Sequence, residues 1–173
     1  MLLKTKRLNI RHIKPDDWQS IKEIWTDFNS SPLSQYDMPH NTDDDDVRKR
    51  IAKWVSASRG TEHIFFAVCL EGTVIGFCSF NIRKDSHEIG YCFHSAYHGK
   101  GYAKESLSAI IEYLHSIGIS KLTAGTAINN VTSVSLLKSL GFRLTGTEKV
   151  SFYKDEHGND IFFEGGIFEL NKL

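Results

Sequence analysis

The stretch "HSAYHGKGYAKESL", His94–Leu107, decides how the rest of the chain is read. Two glycines flank a lysine, an aromatic and a small residue follow, and a long apolar-periodic run begins at once. Glycine near a helix start costs roughly 0.5–1 kcal/mol relative to alanine. Either a tight backbone bend or a ligand that needs bare N–H groups must offset that cost. To the left lies a strand pattern, Glu88–Phe93; to the right Ala103, Leu107, Ile110, Ile111 and Leu114 recur at helical spacing, up to a stop at Gly118. The order is therefore strand, glycine turn, long helix. The first N–H groups of such a helix lack intrahelical partners and its dipole is positive there, so a phosphate fits. A tight turn with no ligand accounts for the same residues, and both readings stand at this point. Two phosphate motifs are excluded. No Gly-Lys-Ser/Thr follows four spacer residues, and Lys104 stands where a dinucleotide fingerprint needs its third glycine.

Outward from this centre the chain is ordinary. Its 173 residues, 40% apolar and 24% charged with a formal net charge of zero, suit one globular domain over residues 1–173. Zero net charge gives no general pull toward nucleic acid or an acidic membrane, and neither is expected as a partner. "TKRLNIRHI" reads as a half-buried strand, and "KPDDWQSIKEIWTDFNS" as a helix with Trp18, Ile21, Trp25 and Phe28 on one face. Ser30 to His40 reads as an irregular loop. "NTDDDDVRKRIAKWVSAS" is a second helix with Val47, Ile51, Trp54 and Val55 inward. Its aspartates, Asp43–Asp46, suit the positive end of the helix dipole and lack the spacing of metal ligands. "HIFFAVCLEGTVIGFCSFNIR" is a hairpin turning at Glu71-Gly72, and "SHEIGYCFH" continues the meander. "KLTAGTA" is a short strand, "NNVTSVSLLKSLGF" a short helix, and a hairpin turning at His157-Gly158-Asn159 closes the chain. The expected order is β-α-α-β-β-β-α-β-α-β-β, a mixed α/β (α+β) domain. Cys69, Cys78 and Cys92, odd in number and in apolar surroundings, read as buried reduced thiols of a cytoplasmic protein. "MLLKTKRLNIRHIK" lacks a signal-peptide core.

"HGKGYA", His98–Ala103, resembles the Gln/Arg-x-x-Gly-x-Gly/Ala signature of the GNAT superfamily of acetyl-CoA-dependent N-acetyltransferases. "NVTSVSLLKSLGF", Asn130–Phe142, resembles the same superfamily's Asn-x-x-Ser…Leu-Gly-Phe element. "TKRLNIR" and "HEIGYCFHSAYHGKGYAKES" resemble the branch that acetylates ribosomal-protein N-termini, the RimJ/RimL type. The likeness runs nearly end to end in the correct order. It implies a GNAT fold: a central, mostly antiparallel twisted sheet, flanked by helices and splayed between its fourth and fifth strands. It further implies acetyl-CoA as co-substrate, with no metal. His98, Gly99, Lys100, Gly101, Tyr102 and Ala103 would cradle the pyrophosphate. Tyr91, Cys92 and Phe93 would pair with the pantetheine arm, Asn130 would bond it, and Lys138 would either reach the phosphates or stay a solvated helix lysine. Three positions depart from the pattern: His98 for Gln or Arg, Ser95 for a frequent proline, and Leu137 for the usual acid tyrosine.

Acetyl transfer to an amine needs a neutral nucleophile, donors for the oxyanion and a proton for the departing sulfur. Glu88 is the candidate base and Ser133 the candidate donor to sulfur; their alternatives are a cross-strand pair and a helix N-terminal cap or first-turn residue. His87 and His94, beside the same strand, read as structural or solvated. No Ser-His-Asp or Cys-His arrangement is indicated, so direct transfer in a ternary complex is expected. Tyr36, Asp37, Met38 and His40 are candidates to line the acceptor site. The acceptor is expected to be a protein or peptide N-terminal α-amine. The alternatives are a small amine (antibiotic, polyamine or amino acid) or loss of chemistry, leaving an acyl-CoA sensor. Monomer and homodimer are both compatible with the sequence.

Overall fold

The computed structural model describes residues 2–83 and 86–171; positions 1, 84–85 and 172–173 of the expected domain lie outside the described residues. Strand β1 (Leu2–Lys4) and β2 (Leu8–His12) open the chain, and a 3-10 turn at Pro15–Asp17 leads into α1 (Trp18–Asn29). A second 3-10 turn, Pro32–Tyr36, precedes α2 (Asp44–Ala57). The meander is β3 (His63–Leu70), β4 (Thr73–Arg83) and β5 (Ser86–Phe93). Helix α3 (Tyr102–Ser116), β6 (Lys121–Ala127), α4 (Val131–Ser139), β7 (Arg143–Lys154) and β8 (Asp160–Asn171) complete it. Strand β1 is an addition to the sequence reading; three residues are too few to show alternation. The first expected strand also begins later, at Leu8, because Thr5 folds back in a turn, its N–H donating to the Leu8 carbonyl at 3.0 Å.

Eight strands form one sheet in the order β1-β2-β3-β4-β5-β6-β8-β7, antiparallel except where β5 meets β6. At β3 both faces of the sheet are covered, which is why "HIFFAVCL" is continuously apolar rather than alternating. Phe66 and Val68 of β3 join one core layer with Leu107, Ile110 and Leu114 of α3. Ala67 and Cys69 join the other with Ile21, Ile24 and Trp25 of α1 and Val47 and Ile51 of α2. Each Val, Leu, Ile or Phe among them contributes about 1.5–3 kcal/mol on burial. The aspartates before α2 serve the helix: the Asp43 carboxylate accepts the N–H groups of Asp45 and Asp46, and Asp44 pairs with Lys22.

The join between β5 and β6 is the feature that positions a site. They share one register pair, Glu88 opposite Thr123, whereas β6 pairs with β8 along its whole length from Lys121 to Ala127. Beyond Glu88 the strands part, and the edge of β5 from Ile89 to Phe93 is left beside a slot. This is the expected splay, shifted by one in strand number because of β1. Phe93 lies across Gly76 of β4, where a Cβ would stand 2.2 Å from its ring, so glycine is required there.

Candidate active site

Gly99 and Gly101 adopt φ of +71° and +80°, and Gly101 is the N-cap of α3 with no side chain to cap it. A Cβ on Gly99 would meet nothing within 4 Å, so the backbone conformation rather than crowding selects glycine. The first helical bond runs from Glu105 N–H to the Gly101 carbonyl at 3.0 Å. The N–H groups of Tyr102, Ala103 and Lys104 therefore have no intrahelical acceptor at the positive end of a 15-residue helix. That geometry accepts an anion with direct access to the main chain.

The turn is braced from outside by Arg7, Thr5 and Glu105, none of which the sequence singled out. Arg7 Nη1 donates to the Lys100 carbonyl at 2.9 Å, Nε to Glu105 at 2.7 Å, and the guanidinium lies 4.4 Å from the Tyr102 ring centre. Burial opposes charge on Glu105, but the Thr5 hydroxyl and Arg7 outweigh it and hold the carboxyl below its ordinary range. Their one sequence signal was an acid in the first turn of α3. His98 Nε2 lies 2.8 Å from the Phe93 carbonyl, and Lys100 Nζ donates to the Ala96 carbonyl at 2.9 Å. Both side chains thus stiffen the approach to the turn. Ser95 also anchors: its N–H and hydroxyl donate to the Asp27 carboxylate of α1 at 2.8 and 2.6 Å.

Alternation along β5 sorts the candidate residues onto two faces. Ile89, Tyr91 and Phe93 face the α3/α4 layer, and Glu88 and Cys92 the α1/α2 layer. The Tyr91 hydroxyl is 2.7 Å from Ser133 Oγ on α4, and burial pushes the phenol up to about 12. Asn130 caps α4, its Oδ1 accepting Ser133 N–H at 3.1 Å. Capping thus falls to Asn130, and the Ser133 hydroxyl is engaged with Tyr91. Leu137 is fully buried in the core, and Lys138 is exposed on the last turn of the helix. On the opposite face Glu88 accepts a 3.2 Å bond from Arg83 in an exposed pair. Cys92 is pushed up to about 12 by burial and by Asp37 and Asp27, so its thiol is protonated and a poor nucleophile.

Of the acceptor candidates, Asp37 and His40 lie side by side, with Asp37 Oδ2 4.0 Å from His40 Nε2. Tyr36 packs edge-on against Phe163 of β8 at 5.2 Å, and Tyr153 donates to the Ser34 carbonyl at 3.1 Å, tying the hairpin to the Pro32–Tyr36 segment. Met38 is exposed, whereas His40 stacks on Trp25 at 5.0 Å and belongs to the core wall. His87 stacks on Phe80, and His94 Nδ1 accepts the Ala96 N–H at 3.2 Å.

Residues 7–143 match the acetyltransferase (GNAT) domain family. The chain belongs to that family. It is 28% identical over 170 residues to the uncharacterized N-acetyltransferase YnaD of Bacillus subtilis (strain 168), covering 94% of this chain and 95% of the relative. Among solved structures it resembles RimL, a ribosomal L7/L12 α-N-protein acetyltransferase in complex with coenzyme A, with a TM-score of 0.85 and 16% identity over 99% of this chain and 98% of that one. It also resembles the microcin C7 self-immunity acetyltransferase MccE, bound to acetyl-CoA and AMP, with a TM-score of 0.82 and 15% identity over 96% and 93% of the two chains. As a GNAT acetyltransferase it takes acetyl-CoA as donor, and the uncapped helix start behind Gly99 and Gly101 has the donor set a diphosphate requires. Among the described residues no cluster of three His, Cys, Asp or Glu suited to a metal occurs, and no helix is long and apolar enough to cross a membrane.

Proposed function

We propose that this GNAT enzyme transfers the acetyl group of acetyl-CoA to the α-amine of a protein or peptide N-terminus, in the cytoplasm, by direct attack within a ternary complex. The observation that carries the transfer reading is the juxtaposition of an open, uncapped helix start with a sheet that parts immediately before it. In this reading the main-chain N–H groups of Gly99 to Lys104 hold the diphosphate. The edge of β5 at Tyr91, Cys92 and Phe93 pairs with the amide-bearing arm, with Asn130 at the far side of the slot and Lys138 available to outer phosphates.

The two faces of β5 divide the chemistry. Glu88 faces the α1/α2 side, from which the amine approaches, and takes the proton of the attacking ammonium, directly or through water. The C–N bond forms, the C–S bond breaks, and the electron pair departs on sulfur toward the α3/α4 side, where Ser133 donates a hydrogen bond. The raised thiols support transfer without an acyl-enzyme, since none is a ready thiolate.

Exposed apolar side chains favour an extended acceptor. Met38, Phe152, Ile161 and Phe162 lie at the surface of the segment and hairpin that flank the acceptor side, more than a small polar amine needs. A second reading, a polycationic small amine, draws on Glu23, Asp27 and Asp44 around an open depression of about 630 Å³ beside Trp18 and His94. The deciding experiment follows thiol release and product mass with acetyl-CoA against short peptides, polyamines and aminoglycosides. An acetylated peptide α-amine is expected, and turnover with small amines alone would move the acceptor class. Coenzyme A binding without turnover on any acceptor would point to the sensor. Glu88→Gln and Ser133→Ala should each lower kcat by roughly 10²-fold with coenzyme A affinity nearly intact; unchanged turnover would remove their roles.

A further inference from the structure

The bond between Tyr91 and Ser133 is the one side-chain hydrogen bond joining β5 to α4 among the described residues, and it lies on the α3/α4 face of β5, beyond the point where β5 and β6 pair. A side-chain link between β6 and β5, from Thr123 Oγ1 to the His87 carbonyl at 3.4 Å, sits where the strands still pair. Tyr91 is three residues beyond that point, about 10 Å along the strand. The two hydroxyls therefore border the gap at a depth that a cofactor arm entering from the glycine turn must pass. We propose that Tyr91 is a positioning residue for acetyl transfer: its phenol donates to Ser133 Oγ, so that the serine hydrogen is aimed into the slot at the departing sulfur.

The direction of the bond follows from chemistry. A phenol is a far stronger acid than an alkanol, so the shared hydrogen sits on the tyrosine oxygen and the serine keeps its own hydrogen for another acceptor. The backbone around Ser133 does not compete, since its N–H is already given to Asn130 and its hydroxyl has no helical carbonyl partner among the described bonds. Leu137, one turn further along α4 and fully buried, brings no polar group. Cys78 lies directly across on β4 with its thiol raised by burial, and Ser133 faces the phenol from α4.

Magnitudes decide how far the proton moves. The phenol is held up at about 12, whereas an ordinary thiol titrates near 8.5. Handing the proton through serine to a thiolate would run uphill by roughly three to four units, so the pair stabilises sulfur by hydrogen bonding and does not relay a proton. Glu88 holds the first proton, taken from the ammonium; the proton that finally neutralises the thiolate is the second, which the nitrogen loses once the C–N bond has formed. The bond made is C–N, the bond broken is C–S, and no other reactant is needed.

This inference rests on the acetyl-CoA reading, and its test separates the two. The thiol of bound coenzyme A is titrated by its thiolate ultraviolet absorbance in the binary complexes of wild type, Tyr91→Phe and Ser133→Ala. The wild-type complex is expected to titrate about one unit lower than either variant. Equal titration of all three would overturn the positioning role while leaving acetyl transfer standing. A wild-type protein that binds no coenzyme A would overturn both. In turnover, Tyr91→Phe should lower kcat about tenfold with the KM for acetyl-CoA within about twofold. A raised KM at constant kcat would make Tyr91 a mere wall of the slot and sink the proposal.

Discussion

At Gly101 a single backbone angle sets where the first N–H groups of α3 point. At φ +80° a β-branched residue is strained by about 1–2 kcal/mol, and relaxing that strain means turning the N–H groups of the α3 start away from a common point. Gly101→Val is expected to weaken coenzyme A at least roughly tenfold by calorimetry, with circular dichroism nearly unchanged. An unaltered dissociation constant would show that this turn is not the diphosphate cradle. At this scale the sequence spoke clearly for the glycines, because the demand for a left-handed residue is local. It spoke ambiguously for Asn130 and Ser133. A capping or first-turn serine and a hydroxyl free for chemistry look identical in one dimension; the cap made by Asn130 removes only the capping alternative, for Ser133 is a first-turn residue of α4. Glu88 keeps both of its readings, for its bond to Arg83 is an exposed pair of small energetic weight.

Among the elements, the entry to α1 depends on one buried charge. Asp17, 6% exposed, accepts from both terminal guanidinium nitrogens of Arg11, Nη1 and Nη2, at 2.7 Å and from the Lys14 N–H at 2.7 Å. This clamp closes the Pro15–Asp17 turn onto β2 and sets where α1 crosses the sheet. Removing one partner of a buried pair leaves the other uncompensated, so Asp17→Asn should cost about 3 kcal/mol in urea unfolding, and Arg11→Ala in the same background should add little. A loss under about 1 kcal/mol would show that the turn is held by packing alone. The sequence placed a helix here but began it at the proline, since Pro15 and two acids are an ordinary α-helical start. The clamp from β2 tightens that start into a 3-10 turn, and a sequence reader has no means to see a strand arginine reaching across.

For the whole molecule, stability against pH tests the burial pattern. His12 and His40 are both held below their ordinary range, chiefly by desolvation. Their unfolded forms therefore take up protons first as pH falls below about 6.5, and stability present above that value is lost toward the lower folded values. The thermal midpoint is expected to fall between pH 7.5 and 5.5, less steeply in His40→Asn; an equal slope would place the histidine outside the core. A further loss follows below about pH 4, where the unfolded forms of Asp27 and Glu105 take up protons first; in the fold Ser95 holds the one, and Thr5 with Arg7 the other, below its ordinary range against the effect of burial. By itself the sequence determined the elements, the glycine turn and the family likeness, because periodicity, turn chemistry and helix-start electrostatics act between neighbours. The tertiary structure alone decided which face of β5 each residue serves, that Arg7 braces a turn 93 residues away, and that Tyr91 meets Ser133 across 42 residues. Those contacts depend on strand order and on where β5 and β6 part, and no local pattern in the chain encodes the distance between two edges of a sheet.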